Sequence, residues 1–388
     1  MKIVFFRHPP FMASQSMPRY ADWLSRGMLQ RGHEVESWTP SPRFYNLPVP
    51  APLKKWLGYI DQYIMFPWMV KKKLKSKDAD TLFVFSDHAL GPWVPLVVDR
   101  KHLIHCHDFL AQRSALGQIP ENPTSFTGKR LQSFIRKGFQ RGRHFISISK
   151  RTQDDLHSLL VSTPVSSHLV YNGIPRKFIP GRVDEVRQTL TRETGINLVN
   201  GYLLHVGGNQ WYKNRKGVVE LYSGWRASGK GLLPLLMIGP EPGESLQDVI
   251  NNSGYKDDIH LLTGRDDVFV QLCYQGAELF LFPSMAEGFG WPIIEAMASG
   301  VPVITTNETP MTEVGGNAAF YIPRYYRDKM DHSQWVKDSV DVMVKVLSMT
   351  GSSRKEVVER GFANAARFNS DETLDRIETI YKKIMANN

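Results

Sequence analysis

Two glutamates, Glu287 and Glu295, are the residues of this chain whose type and spacing most suggest chemistry. They stand eight positions apart in the stretch from Phe282 to Asn317, FPSMAEGFGWPIIEAMASGVPVITTNETPMTEVGGN. Gly288 and Gly290, between them, leave backbone N–H groups bare beside a predicted helix start, where the helix dipole favours an anion such as a phosphate. A carboxylate can only accept hydrogen bonds, so acids beside an anion site suit a ligand that carries hydroxyls as well as phosphates. A nucleotide sugar, with its ribose and its hexose, has that chemistry. Taken singly, Glu287 could equally be a solvated loop acid and Glu295 an early-helix acid placed for the dipole. The pair, with GFG between and ASGVP behind, is harder to explain that way.

The elements needed to position these acids can be read locally. Glu278 to Pro283 (ELFLFP) is a short apolar run closed by proline, which predicts a buried strand, and Ser284 to Gly290 is the loop at its carboxyl end. Open α/β sheets bind ligands in loops of that kind. Pro292 suits the first position of a helix whose apolar face is Ile293, Ile294, Met297 and Ala298, and Gly300 stops it before a strand from Val301 to Thr305.

The whole stretch resembles the donor-site signature of the retaining GT-B glycosyltransferases of family 4 (glycosyl transferases group 1). The resemblance implies an α/β chain of two Rossmann-like, doubly wound domains facing a central cleft, with a C-terminal helix crossing back to the first domain. It implies that Glu287 touches the transferred sugar, that Gly288, Phe289 and Gly290 line the same pocket, and that Glu295 holds the nucleotide ribose.

Further motifs follow the same pattern. Gly201 to Gly208 (GYLLHVGG) predicts a buried strand running into NQWYKNRKGVVELY, which sets Lys213, Arg215 and Lys216 before a helix, where cations can meet a diphosphate. By resemblance, a lysine before glycine or asparagine grips that group. Lys213-Asn214 matches without gaps and Lys216-Gly217 with a short insertion. The family's earlier arginine is replaced by Gly208, and Arg215 can supply the missing charge. Leu232 to Gly239 and Ile259 to Leu262 predict the next strands. Thr263-Gly264-Arg265 falls where the family's loop passes the nucleobase, so Gly264 and Arg265 join the donor side.

The first half opens with a strand (Lys2 to Phe6), a helix (Arg19 to Gln30) and a second strand after Gly32, a βαβ start. Thr81 to Phe85, His102 to Cys106, Phe145 to Ser149 and His168 to Pro175 predict further strands. His107 and Asp108 lie at a carboxyl end, in HCHDFL. The stretch resembles the family's HD loop, whose histidine approaches the transferred sugar. The loop after the first strand, RHPPFMASQSMPRY, lacks the family's glycines, so Ser14, Ser16 and Asp108 are assigned to the acceptor side only. The polar, Pro- and Gly-bearing RKFIPGRVDE marks a linker. Expected domains are 1–178, joined by a last helix in 371–388, for the acceptor, and 182–370 for the nucleotide sugar.

Composition bounds the rest. The chain has 388 residues, 42% hydrophobic and 22% charged, enough for two ordinary cores. Cys106 and Cys273 are its two cysteines, and neither has ligand-spaced partners for zinc. A short apolar start and no membrane-length apolar window predict a cytoplasmic protein. Net charge is +10, and up to Pro180 there are 26 Lys and Arg against 12 Asp and Glu. Pro52 to Lys77 mixes aromatic residues with seven lysines, so it reads either as an interfacial segment for an anionic membrane or as an ordinary basic helix interrupted at Pro67. No nucleic-acid module matches the aromatic spacing.

The expected activity is therefore transfer of a sugar from a UDP- or GDP-linked donor to a saccharide or lipid-linked acceptor. It needs no cofactor and no metal, because lysine and arginine can neutralise the diphosphate. A nucleotide-sugar epimerase or other enzyme on the same fold, such as a phosphorylase, or a non-catalytic sugar-nucleotide-binding subunit, is the alternative.

Overall fold

The computed structural model describes residues 1–11, 16–174, 178–325 and 330–386. The chain forms two units, Met1–Gly173 with Ser370–Asn388, and Ile174–Asn369. Each is built on one six-stranded sheet, all of whose pairings are parallel.

The first unit contains β1 (Lys2–Phe6), β2 (Glu34–Trp38), β3 (Thr81–Phe85), β4 (His102–Cys106), β5 (His144–Ser147) and β6 (Ser166–Leu169), in the order β2-β1-β3-β4-β5-β6. Parallel strands covered on both faces read as continuous apolar runs, and every residue of β3 and β4 is buried. Phe6, Phe85, Trp93 and Phe66 form an aromatic centre, with the Phe6 and Phe85 rings stacked at 4.4 Å. The Ser370–Ala386 helix belongs to this unit. Trp23 Nε1 donates to Ser370 Oγ at 2.7 Å, Arg31 pairs with Asp375 at 2.6 Å, and buried His105 is bracketed by the Tyr20 and Tyr381 hydroxyls.

Pro67 does not interrupt the helical segment after β2. The Ala51–Ile60 helix passes through a π turn, Asp61–Met65, into the Phe66–Leu74 helix, whose first turn holds Pro67. Phe66 N–H reaches back to Asp61 O, and the wider turn absorbs the ring that would break regular α geometry. The Gln62 carbonyl within this turn accepts from Trp93 Nε1 at 2.9 Å, so the deviation leaves that group satisfied.

The second unit contains β7 (Leu203–Val206), β8 (Leu235–Ile238), β9 (Ile259–Leu262), β10 (Leu279–Phe282), β11 (Val303–Thr306) and β12 (Phe320–Ile322), in the order β12-β11-β10-β7-β8-β9. Its core runs through Leu203, Leu281, Met237, Tyr222 and Trp335, all nearly inaccessible. Strand ends are shorter than the apolar runs suggested. Gly201, at φ 97°, and Gly239 lie in the connections and not in β7 or β8.

Candidate active site

β7 and β10 are neighbours, yet the chain visits β8 and β9 before returning to β10 on the other side of β7. Loops leaving the carboxyl ends of two such strands diverge, and that reversal point is where open α/β sheets hold ligands. The loop after β7 carries the Trp211–Lys213 turn, and the loop after β10 carries Glu287.

Three ties join the two loops. Met285 N–H donates to the Tyr212 carbonyl at 2.7 Å, and Asn214 Nδ2 donates to the Pro283 carbonyl at 3.1 Å. Lys213 Nζ reaches both carboxylate oxygens of Glu287, at 2.8 and 3.0 Å. The pair is largely withdrawn from water, with side chains 16% and 8% exposed. The ammonium also lies 5.1 Å from the Phe282 ring and 5.5 Å from the Tyr212 ring, a cation–π setting on two sides. The sequence reading gave these residues separate partners, diphosphate and sugar, whereas the structure pairs them with each other. An ammonium has three donors, so Glu287 leaves one for a phosphate oxygen.

Asn214 explains why asparagine or glycine follows the lysine. Its φ is +50°, a left-handed conformation that most side chains disfavour and asparagine tolerates. From there it caps the Arg215–Ala227 helix, its Oδ1 accepting from Gly217 N–H at 3.2 Å.

Arg215 is the first residue of that helix and is only 5% exposed. Nη1 donates to Asn209 Oδ1 and to the Pro240 carbonyl, the latter at 3.0 Å. Nε and Nη2 are buried without a hydrogen-bond partner. Burial draws its pKa down and Glu241 opposes this, but a guanidinium stays charged in either case. The result is a buried cation with unspent donors, an arrangement that an anion completes. Lys216, one residue on, is exposed.

His205 in β7 was not legible as part of this site. It is fully buried, its Nδ1 bonds to the Leu281 carbonyl at 2.9 Å, and Nε2 has no partner. Burial, with Arg215 and Lys213 adding to it, lowers its pKa to about 3, so the ring is neutral. Around it the backbone is close-packed. A Cβ on Gly207 would lie 2.7 Å from His205 Nε2, and one on Gly239 would lie 2.1 Å from the Gly207 carbonyl. A Cβ on Gly208 would meet the Gln210 side chain at 2.3 Å.

The acidic loop is anchored by Phe289, 3% exposed, whose ring sits edge-on to Phe368 at 5.6 Å and to Trp291 at 6.2 Å. Gly288 precedes it, half-buried. Gly290, at φ 109°, begins the Trp291–Ala298 helix in a conformation open only to glycine. Pro292 lies in the first turn, and Glu295 accepts from Tyr274 Oη at 3.1 Å. Gly264 turns at φ 65° after β9, and exposed Arg265 lays its guanidinium 4.6 Å from the Phe269 ring centre.

In the first unit, His107 follows β4 and is 4% exposed. Its Nε2 donates to the Ser86 carbonyl at 2.8 Å, and Nδ1 has no partner. Burial lowers its pKa, which keeps the ring neutral with its lone pair on Nδ1. Asp108 accepts from Leu110 N–H at 3.0 Å, at the start of the Leu110–Ala115 helix. Ser14 lies outside the described residues; Ser16 opens the Ser16–Gln30 helix, and its side chain is outside them too. Also unread in the sequence is a contact between His8, after β1, and Asp87, after β3, with Nε2 and Oδ2 2.8 Å apart.

Comparison with known proteins bears on the family and the fold. Residues 17–178 match the family described as "Glycosyltransferase Family 4", and residues 186–331 match "Glycosyl transferases group 1". The O-antigen chain mannosyltransferase B of Escherichia coli is 28% identical over 47% of this chain and 46% of its own. The chain spans about half the length of the first curated relatives it matches. The lipopolysaccharide glucosyltransferase WaaG of Escherichia coli K12 is 22% identical over 71% of this chain and 72% of its own. The solved WaaG structure superposes over 99% of this chain and 100% of its own with a TM-score of 0.72 at 16% identity. Anabaena Alr3699/HepE, solved with UDP and glucose, does so over 99% and 100% with a TM-score of 0.70, also at 16% identity. Such distant superpositions speak for the fold alone. With both halves matched and both sheets doubly wound about their reversal points, the chain belongs to glycosyltransferase family 4 and has the GT-B fold.

Proposed function

We propose that this chain transfers a hexose from a nucleotide sugar to a hydroxyl acceptor, with retention of anomeric configuration, in the assembly of a polysaccharide or glycolipid. The observation that carries the reading is the Lys213–Glu287 pair, spanning the β7/β10 reversal point, beside Arg215 with its two unspent donors. The hard step is departure of a nucleoside diphosphate as positive charge grows on the anomeric carbon. Fixed cations at the departing phosphates stabilise that charge separation most where they are already desolvated and need not reorganise.

In this reading the third Lys213 donor and the free Arg215 N–H groups take diphosphate oxygens. Glu287, its carboxylate held by Lys213, has lone pairs left for sugar hydroxyls and steadies the oxocarbenium-like carbon without bonding to it. Glu295 takes the ribose hydroxyls, and Gly264 and Arg265 flank the base. The leaving phosphate oxygen accepts the acceptor proton, and Lys213 and Arg215 supply the positive charge that a metal would otherwise bring to the diphosphate. UDP, named with the Anabaena structure, and the mannosyl and glucosyl transfers named for the relatives support a UDP- or GDP-linked donor.

A cytoplasmic enzyme acting on a lipid-linked acceptor would touch an anionic membrane surface, and one face of the first unit supports this. Along residues 51–74, Leu53, Trp56, Ile64 and Trp68 are 51 to 62% exposed, spaced so that they form one stripe, while Gly58, Asp61, Phe66 and Val70 are buried on the other side. Lys71, Lys72 and Lys75 continue the stripe. No described helix is long and apolar enough to cross a membrane. Aromatic rings at the headgroup level with lysines among the phosphates is the arrangement of an interfacial contact.

The test is nucleoside diphosphate release from UDP-glucose, GDP-mannose and UDP-N-acetylglucosamine with and without alkyl glycoside acceptors, and NMR assignment of the product anomer. Acceptor-dependent release with the donor's configuration kept is the expected result. Release without transfer, or an inverted product, would overturn the reading.

A further inference from the structure

The first sheet repeats the device of the second. β1 and β3 are neighbours, and the chain leaves β1 for β2 on one side before returning to β3 on the other, so strand order reverses between them. His8 follows β1 and Asp87 follows β3, and these two meet across that reversal point, His8 Nε2 to Asp87 Oδ2 at 2.8 Å.

Asp87 is a firmly held anion. It is 6% exposed, accepts from Ala89 N–H at 3.2 Å, and has His88 Nδ1 2.8 Å from its other oxygen. Burial by itself would raise its pKa, but His88 and His8 outweigh it and hold the carboxyl well below the usual carboxylate range. A carboxylate can only accept, so the His8 nitrogen facing it carries the proton, and Nδ1 is the ring nitrogen left to accept from a ligand. The His8 side chain is 18% exposed, its ring makes no other side-chain bond among the described residues, and Nδ1 is not among the buried polar atoms that lack a partner. Close by, Ser86 Oγ and His107 Nδ1 are buried without partners. An imidazole oriented by a buried carboxylate, with its lone pair presented where sheets of this kind bind ligands, is built to receive a hydroxyl.

We infer that His8 Nδ1 binds the hydroxyl of the acceptor alcohol, with Asp87 fixing the ring's tautomer and direction. The assignment rests on the transferase reading and names the side chain that meets the acceptor. The contact is a hydrogen bond from the alcohol O–H to the ring nitrogen, and it leaves the oxygen lone pairs of the alcohol uncommitted.

The experiment uses the full chain with the three donors named above and decyl glucoside and decyl mannoside as alcohol probes. Donor hydrolysis and transfer are followed in the same assay. His8→Ala should raise the alcohol KM about tenfold or more. Two conservative variants separate binding from mere support. His8→Asn keeps an acceptor atom near the Nδ1 position, whereas His8→Gln places its amide near Nε2 and satisfies Asp87 instead. Acceptor binding predicts that His8→Asn transfers better than His8→Gln. A purely structural role predicts the reverse order, and that order would overturn the assignment, as would His8→Ala with unchanged transfer or with hydrolysis and transfer lost together. A parent chain that turns over none of the donors refutes the transferase reading, and this assignment with it.

Discussion

Replacing Lys213 by methionine keeps the aliphatic stem against Phe282 and Tyr212 and removes only the ammonium. Two effects follow and differ in size and in readout. Glu287, 8% exposed, is left a nearly buried carboxylate without its bidentate partner. Breaking a buried pair from one side costs about 3–5 kcal/mol, and the remaining exposure at Lys213 places this site at about 3 kcal/mol or less. The second effect is on chemistry. Loss of one preorganised charge at the leaving group costs on the order of 3 kcal/mol, about a hundredfold in kcat. Because the two share Glu287, they are separable. Lys213→Met with Glu287→Gln removes the orphaned charge, so stability should return towards that of the parent while turnover stays low. Denaturant unfolding gives the first quantity and steady-state release of nucleoside diphosphate the second. A Lys213→Met enzyme with kcat within about threefold of the parent would refute the assignment, because a hundredfold effect cannot hide in that range. A double variant no more stable than Lys213→Met would refute the claim that the pair matters through desolvation.

Other outcomes follow from the same geometry. Arg215→Lys should lower donor affinity at least tenfold, measured by calorimetry with UDP and GDP, since one ammonium cannot replace a planar fork of donors. Asn214→Ala should cost about 2 kcal/mol by thermal unfolding, combining a left-handed residue and a lost cap, whereas Asn214→Gly should cost less than half of that. His205 has a folded pKa of about 3 against an ordinary 6.5, so below pH 6.5 the unfolded chain binds a proton that the folded chain refuses. Its contribution is intact above that pH and is lost as pH falls towards 3, and His205→Gln should flatten the stability slope across this window by about 1.4 kcal/mol per pH unit. Trp56→Glu with Trp68→Glu should abolish sedimentation with vesicles containing about a third phosphatidylglycerol and leave donor hydrolysis unchanged; equal binding to phosphatidylcholine alone would refute a charge-assisted contact.

Much of this protein is written locally. The apolar runs of β1, β3, β4 and β10 announce buried parallel strands, because strands covered on both faces need no alternation. Glycine, proline and the acids between them mark the loop and helix start at Ser284 to Glu295, since left-handed φ and a fixed N-terminal turn are properties of single residues. What no local pattern contains is strand order. Only the return of β10 beside β7 brings Lys213 to Glu287, 74 positions away, and only the return of β3 beside β1 brings Asp87 to His8, 79 positions away. The unspent donors of Arg215 and the neutral ring of His205 are likewise matters of burial, set by the tertiary packing around them. Pro67 shows the same division, for its sequence argues a break and the fold answers with a π turn whose freed carbonyl is taken up by Trp93.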